Sequence, residues 1–343
     1  SINNSGHGAV VQSTKIRDWG NLSGVQQNMV FKITDNHGSN WSHQASLINS
    51  EFDGYSNQHY SIPEEIFNDI QETYFHETFC LYPDGNECWE LSSLNSLWVS
   101  YDYDFKIDSN GNLHFILGLA GVNNEYQDVY YNWPGSGYYH ISVHFDNLIL
   151  DDVSAWSISK VANMEQSWSC EITGDDSYWL DFPTFEIYGD NQINVVFSAI
   201  NTLDYNIYEL SEFGHIYHGV DSFESELDGL NYDIFRVQSN NLGETWSDVL
   251  NITNTPDVHE MNAHLASVPE GYAGNIHIAF QVPDPLFNEF MIEAHLYQEP
   301  IWNFGQHLYV LQDSNDELSD CADEDGDLIC DGCPSGVYDC YGV

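Results

Sequence analysis

The stretch SNNLGETWS, residues 239–247, decides how this chain is read. It opens with Ser239, sets Asn241 where a short polar side chain bonds the N–H groups of a tight turn, supplies positive φ at Gly243, and follows Thr245 with the apolar anchor Trp246. The run IFRV just before it reads as a strand, so the stretch closes that strand and pins it through a tryptophan. A second stretch, TDNHGSNWS at residues 34–42, repeats the spacing with Thr34, Asn36, Gly38 and Trp41 after the strand-like VFKI; Asn40 stands where Thr245 stands in the first.

Outward from these turns, nearly everything reads as strand. Short runs rich in Val, Ile, Phe, Tyr and Trp alternate with Asn/Asp/Gly turns, as in FKIDSNGNLHFIL, YYHISVHF, FEIYGDNQINVVF, NIHIAFQV and HLYVLQ. Many short strands without intervening helices predict an antiparallel all-β protein, a sandwich or a propeller. One helix is predicted, over residues 63–74, where Pro63 and two glutamates precede Ile66, Ile70 and Tyr74 at helical spacing. Strand–turn–strand units recur around Asn112, Gln192 and Asn275, 80 and 83 residues apart, which is about two propeller blades of 40–45 residues each, or one blade with long insertions. Residues 201–230, acidic and aromatic, are the clearest candidate insertion.

Both tryptophan turns resemble the Asp-box, Ser/Thr-x-Asp-x-Gly-x-Thr-Trp, of the bacterial neuraminidase repeats in sialidase-like β-propellers, with Asn replacing the central Asp in each. The resemblance covers residues 7–312 and implies an all-β propeller of four to six antiparallel blades. In that family the box is a structural device away from the catalytic face, so function is argued from the site. Sialidases hold the substrate carboxylate with three arginines, planar bidentate donors that match it. This chain has two, Arg17 and Arg236, so sialidase activity does not carry over.

The charge is equally restrictive. Fifty-four acidic against six basic residues give a net charge of −48 in 343 residues, which repels nucleic-acid phosphates and anionic lipid and leaves cations, neutral ligands and basic partners. A hydrophobic content of 42%, with 15% aromatic, is enough for a core. The longest apolar run, residues 113–122, is about half of what spans a bilayer, so no transmembrane segment is expected. A start at Ser1 reads as a chain whose signal peptide has been removed; sequons at Asn3, Asn21, Asn40 and Asn251 fit an extracellular glycoprotein.

The seven cysteines point to the same oxidising compartment. In CLYPDGNEC the Pro-Asp-Gly loop puts Cys80 opposite Cys88, close enough for a disulfide. Cys321, Cys330, Cys333 and Cys340 crowd the end of the chain in three possible pairings, and Cys170 is left over. A boundary falls after residue 312, separating the propeller, 1–312, from a tail, 313–343, that holds ten acidic residues and no Lys or Arg. In CADEDGDLICDGCP, Asp323, Asp325, Asp327 and Asp331 surround Gly326, and alternating carboxylates on a bent loop converge on a hard cation. The pattern resembles the aspartate-rich calcium loops of thrombospondin type 3 repeats, and it implies bound Ca2+ with cysteine staples. The alternative is a solvated acidic linker.

Other chemistry finds little support. HEMNAH, residues 259–264, is one residue too long for a zinc HExxH helix, and His140, His144 and His277 read as packed or hydrogen-bonded histidines. No phosphate loop, nucleophile elbow or Cys-His arrangement is present. The expectation is a secreted or cell-surface structural or adhesive protein, non-enzymatic, assembling into calcium-dependent oligomers or filaments or binding glycans. The alternative is a secreted glycoside hydrolase or polysaccharide lyase, which requires a central funnel holding a close carboxylate pair or a Tyr/His base, one of them with a raised pKa.

Overall fold

Strand-forming runs separated by Asn/Gly turns become antiparallel meanders when each strand pairs with its neighbour in sequence. The computed structural model describes residues 1–15, 27–41, 60–75, 79–80, 88–89, 94–123, 129–130, 135–150, 152–163, 183–200, 232–254, 260–269, 271–283 and 306–313. Sheet 1 holds β1 (Gly8–Lys15), β2 (Gln27–Thr34) and β3 (Tyr60–Ser61) in that order. After helix α1 (Glu64–Tyr74) come β4 (Phe79–Cys80) and β5 (Cys88–Trp89), a two-stranded pair. Sheet 2 runs β6 (Leu94–Ile107), β7 (Asn112–Asn123), β9 (Gly137–His144), β10 (Ser157–Asn163), with β8 (Val129–Tyr130) on the far end of β7. Sheet 3 holds β11 (Thr184–Tyr188), β12 (Gln192–Ile200), β13 (Tyr232–Ser239) and β14 (Leu250–Asn251). Sheet 4 holds β15 (Met261–Leu265), β16 (Ile276–Pro283) and β17 (Gln306–Asp313). Every strand pair is antiparallel, so the described fold is all-β apart from short helices.

The sheets stack face to face in chain order, and strand alternation shows how. Along β7, Leu113, Phe115, Leu117 and Leu119 enter a core shared with sheet 1 and with Ile66, Phe67 and Ile70 of α1, while Ile116 points the other way into a core shared with sheet 3. Along β12, Ile193, Val195, Phe197 and Ala199 face sheet 2, and Val196 faces Ile276, Ile278 and Phe280 of sheet 4. The middle sheets are thus buried on both faces, which is why their central strands read as unbroken apolar runs. Burying each such side chain stabilises the stack by about 1.5–3 kcal/mol.

The predicted helix is present as α1, entered through Pro63. A second helix, α2 (Phe145–Leu150), was not anticipated. It lies between β9 and β10, where sheets 1 and 3 carry a tryptophan turn between the corresponding strands, and a 3-10 turn at Val153–Ala155 follows it. No glycine stands in this segment, so the tight turn is replaced by a helix whose Phe145 and Leu148 fill the first core.

Candidate functional site

The two tryptophan turns fold alike. In sheet 3, Ser239 Oγ accepts from the N–H groups of Asn241 (3.3 Å) and Gly243 (2.8 Å), and Asn241 Oδ1 accepts from Thr245 N (2.9 Å). In sheet 1, Thr34 Oγ1 accepts from Asn36 N (3.3 Å) and Gly38 N (3.0 Å), and Asn36 Oδ1 from Asn40 N (2.8 Å). Both turns take two successive left-handed residues: Leu242 (φ 55°) with Gly243 (88°), and His37 (56°) with Gly38 (78°). Asn at the central position accepts as Asp would, and its amide also donates to Thr245 Oγ1 at 2.9 Å.

Each turn is also tied to the hairpin turn beside it. Leu242 N donates to Asn191 O (2.8 Å) and His37 N to Gly6 O (3.0 Å); Phe145 N, at the head of α2, donates to Gly111 O (2.9 Å). The same bond therefore survives in sheet 2 where the tryptophan turn does not. The sheet 3 turn reaches further, onto the preceding sheet. Ser159 of β10 donates to Gly243 O and accepts from Trp246 Nε1 at 2.9 Å, and the His140 ring lies against Gly243. Burial, with the neighbouring His114 charge, holds His140 well below the ordinary imidazole range. His114 Nδ1 and His140 Nε2 are 2.9 Å apart, and His114 Nε2 lies 3.5 Å from Asp108 Oδ2.

The ends of β6 and β11, with the segment before β1 and the segment after β15, line a cavity of about 240 Å³. Sheet 1 contributes Asn3 and Asn4, sheet 2 Lys106 and Ser109, sheet 3 Glu186 and Asp190, and sheet 4 the segment around Val268. Lys106 Nζ meets Glu186 Oε2 at 3.2 Å, joining β6 to β11. Two residues back along β6, Asp104 accepts from Phe105 N (2.8 Å) and Phe185 N (3.0 Å). Burial pushes both carboxyls, Asp104 and Glu186, above their ordinary values, with Lys106 opposing in each case, and the Asp104 charge adds to the rise at Glu186. Two carboxyls on the edge strands β6 and β11 are thus biased toward keeping a proton, with one ammonium bound to Glu186. Sequence reasoning did not single them out; the available signal was Lys106, one of four lysines in the chain, two residues from Asp104 on the same strand.

Arg236 is the largest fully buried side chain among the described residues, its Nε donating to Asn194 Oδ1 at 2.9 Å inside sheet 3. It is thereby unavailable to an open ligand site. The sequons separate as well. Asn3 is buried and donates its amide to Asp108 O (2.7 Å), and the Asn251 amide donates to Asp233 Oδ2 (2.6 Å), so a glycan at either requires breaking a bond that the fold uses. Asn40 is exposed, and Asn21 lies outside the described residues. Backbone pairing sets Cys80 directly opposite Cys88. Cys170, Arg17, the insertion at 201–230 and the whole tail beyond Asp313, with Asp323, Asp325, Asp327, Asp331 and its four cysteines, also lie outside the described residues. Among the described residues, no group of three or more His, Cys, Asp or Glu is placed to hold a metal ion, and no helix is long and apolar enough to cross a membrane.

No family model matches the sequence, and no curated protein matches it. Among solved structures, the chain is similar to the leech intramolecular trans-sialidase complexed with 2,7-anhydro-Neu5Ac and to the intramolecular trans-sialidase of Ruminococcus gnavus in complex with oseltamivir carboxylate. Each has a TM-score of 0.28 and 10% identity; the match covers 84% of this chain and 30% of the leech enzyme or 41% of the bacterial one. The chain therefore spans less than half the length of either.

Proposed function

We propose that this chain is a non-catalytic extracellular module, a sialidase-like propeller used for adhesion or assembly, whose acidic tail binds calcium. Arg236 carries this reading. A carboxylate-binding cluster needs several arginines at an open surface; this chain has two, and one is enclosed in sheet 3 and bonded to Asn194. The tryptophan turns and the contribution of segments from all four sheets to one cavity support the propeller; the net charge of −48 and the Asp323, Asp325, Asp327, Asp331 pattern support a cation partner. The test has two arms on the full chain. Sialoside turnover should be nil, and calcium should raise the melting temperature, an effect lost in Asp325→Asn/Asp327→Asn. Turnover, or indifference to calcium, counts against the proposal.

A second reading, a secreted glycoside hydrolase or polysaccharide lyase, draws on one observation: Asp104 and Glu186, both shifted toward protonation, lie on the neighbouring strands β6 and β11, with Glu186 lining the cavity. Polysaccharide cleavage abolished by Asp104→Asn and by Glu186→Gln, with the fold retained, would establish it in place of the first.

A further inference from the structure

β17 is the last strand of sheet 4 among the described residues, paired with β16 on one side. Its register puts Tyr309 opposite Phe280 and Leu311 opposite Ile278, on the face packed toward sheet 3. Leu308 and Val310 alternate onto the opposite face, beside Gln281 and Ala279, and are 70% and 67% exposed. The described residues contain five exposed large hydrophobics, and three of them, Leu308, Tyr309 and Val310, are consecutive on this strand. A long apolar strand at a sheet edge is a template for pairing unless charge or proline blocks it. Residues 306–312, QHLYVLQ, contain neither an acid nor a proline, in a chain that carries 54 acidic residues.

That neutrality selects the occupant. Two copies of a molecule at −48 repel wherever their acidic surfaces meet, so they approach most cheaply along a strand without charge. Parallel pairing in register would set Asp313 against the second copy's Asp313. Antiparallel pairing about a two-fold axis at Val310, which keeps like faces together, sets Asp313 against the second copy's His307 and removes the conflict. We infer that β17 is a dimerisation strand: two copies join antiparallel along it, merging their fourth sheets into one sheet of six strands. The inference deepens the assembly reading above and names its joint.

Sedimentation velocity of the full chain in millimolar calcium, from low to high micromolar protein, tests it alongside Leu308→Lys and Val310→Lys. Both side chains point away from sheet 3, so the variants should keep the wild-type melting temperature. Their dimerisation should weaken by about tenfold or more. Amide exchange of residues 306–313 should be slow in the wild-type dimer and faster in the variants. A wild-type chain that stays monomeric overturns the proposal, as do variants that dimerise as wild type does. Variants that unfold easily from a monomeric wild type show that β17 is covered by its own chain, and also overturn it. A monomer leaves an adhesive, non-catalytic module standing, whereas sialoside turnover by a β17-linked dimer would sink that module and leave the joint intact.

Discussion

Gly243 and Gly38 hold the same place in the same turn, at φ of 88° and 78°, yet their surroundings differ. A Cβ at Gly38 meets nothing closer than the Trp41 ring at 3.5 Å, whereas at Gly243 it falls 2.3 Å from the His140 ring. Gly38→Ala should therefore cost only the left-handed backbone, about 1–2 kcal/mol. Gly243→Ala should add an overpacking cost of about 1–3 kcal/mol, because it pushes the turn off sheet 2. Urea unfolding of both variants separates the two effects, and equal losses would mean that the turn does not seat on His140. Asp108 offers a second test. Burial opposes its charge, but hydrogen bonds from His114 and Asn112 outweigh that and hold the carboxyl below its ordinary value of 3.8. Its contribution is complete above that ordinary value and is lost as pH falls through the lower folded one. Asp108→Asn should cost about 1–3 kcal/mol at pH about 7, a gap that closes in strong acid. The turn residues were legible in the sequence because their spacing is local. The partners of Gly243 were not, since Ser159 and His140 lie 84 and 103 positions away and meet it only through sheet packing.

Among the elements, β4 and β5 bring the expected cysteines into direct register, Cys80 with Cys88. Peptide mapping without reductant should recover that pair as one linked peptide; free thiols at both positions would refute the disulfide. Helix α1 was readable from Ile66, Ile70 and Tyr74 because a single amphipathic face needs only local spacing. Ile70 is fully buried, so Ile70→Ala should cost about 2–5 kcal/mol in thermal or urea unfolding, while Glu72→Ala on the exposed side should change little. Helix α2 escaped notice for the converse reason: six residues are too few for a periodic signal, and its place is set by the Phe145–Gly111 bond and by Phe145 and Leu148 entering the first core. The carboxyls Asp104 and Glu186 were invisible among 54 acids until β6 and β11 were brought together.

For the molecule as a whole, charge dominates the response to solution conditions. Self-repulsion at −48 relaxes as carboxylates take up protons. Asp104 and Glu186 act in the same direction: their raised folded values mean a contribution that is full below the ordinary 3.8 and 4.5 and is lost as pH climbs through the folded values. The melting temperature should therefore rise as pH is lowered from mildly alkaline toward about 5, and it should rise with added salt at neutral pH. Scanning calorimetry across that range checks both, and a melting temperature that falls on acidification there would contradict them. The sheets themselves are each made from strands adjacent along the chain, and the tryptophan turn of sheet 3 seats on Ser159 and His140 of the sheet before it. A polypeptide that leaves the ribosome or a secretion pore amino-terminus first thus presents a finished seat to this clamp before the clamp emerges. Stalled or truncated chains would end in a complete hairpin layer whose open face awaits the next, and the order of synthesis becomes the order of assembly.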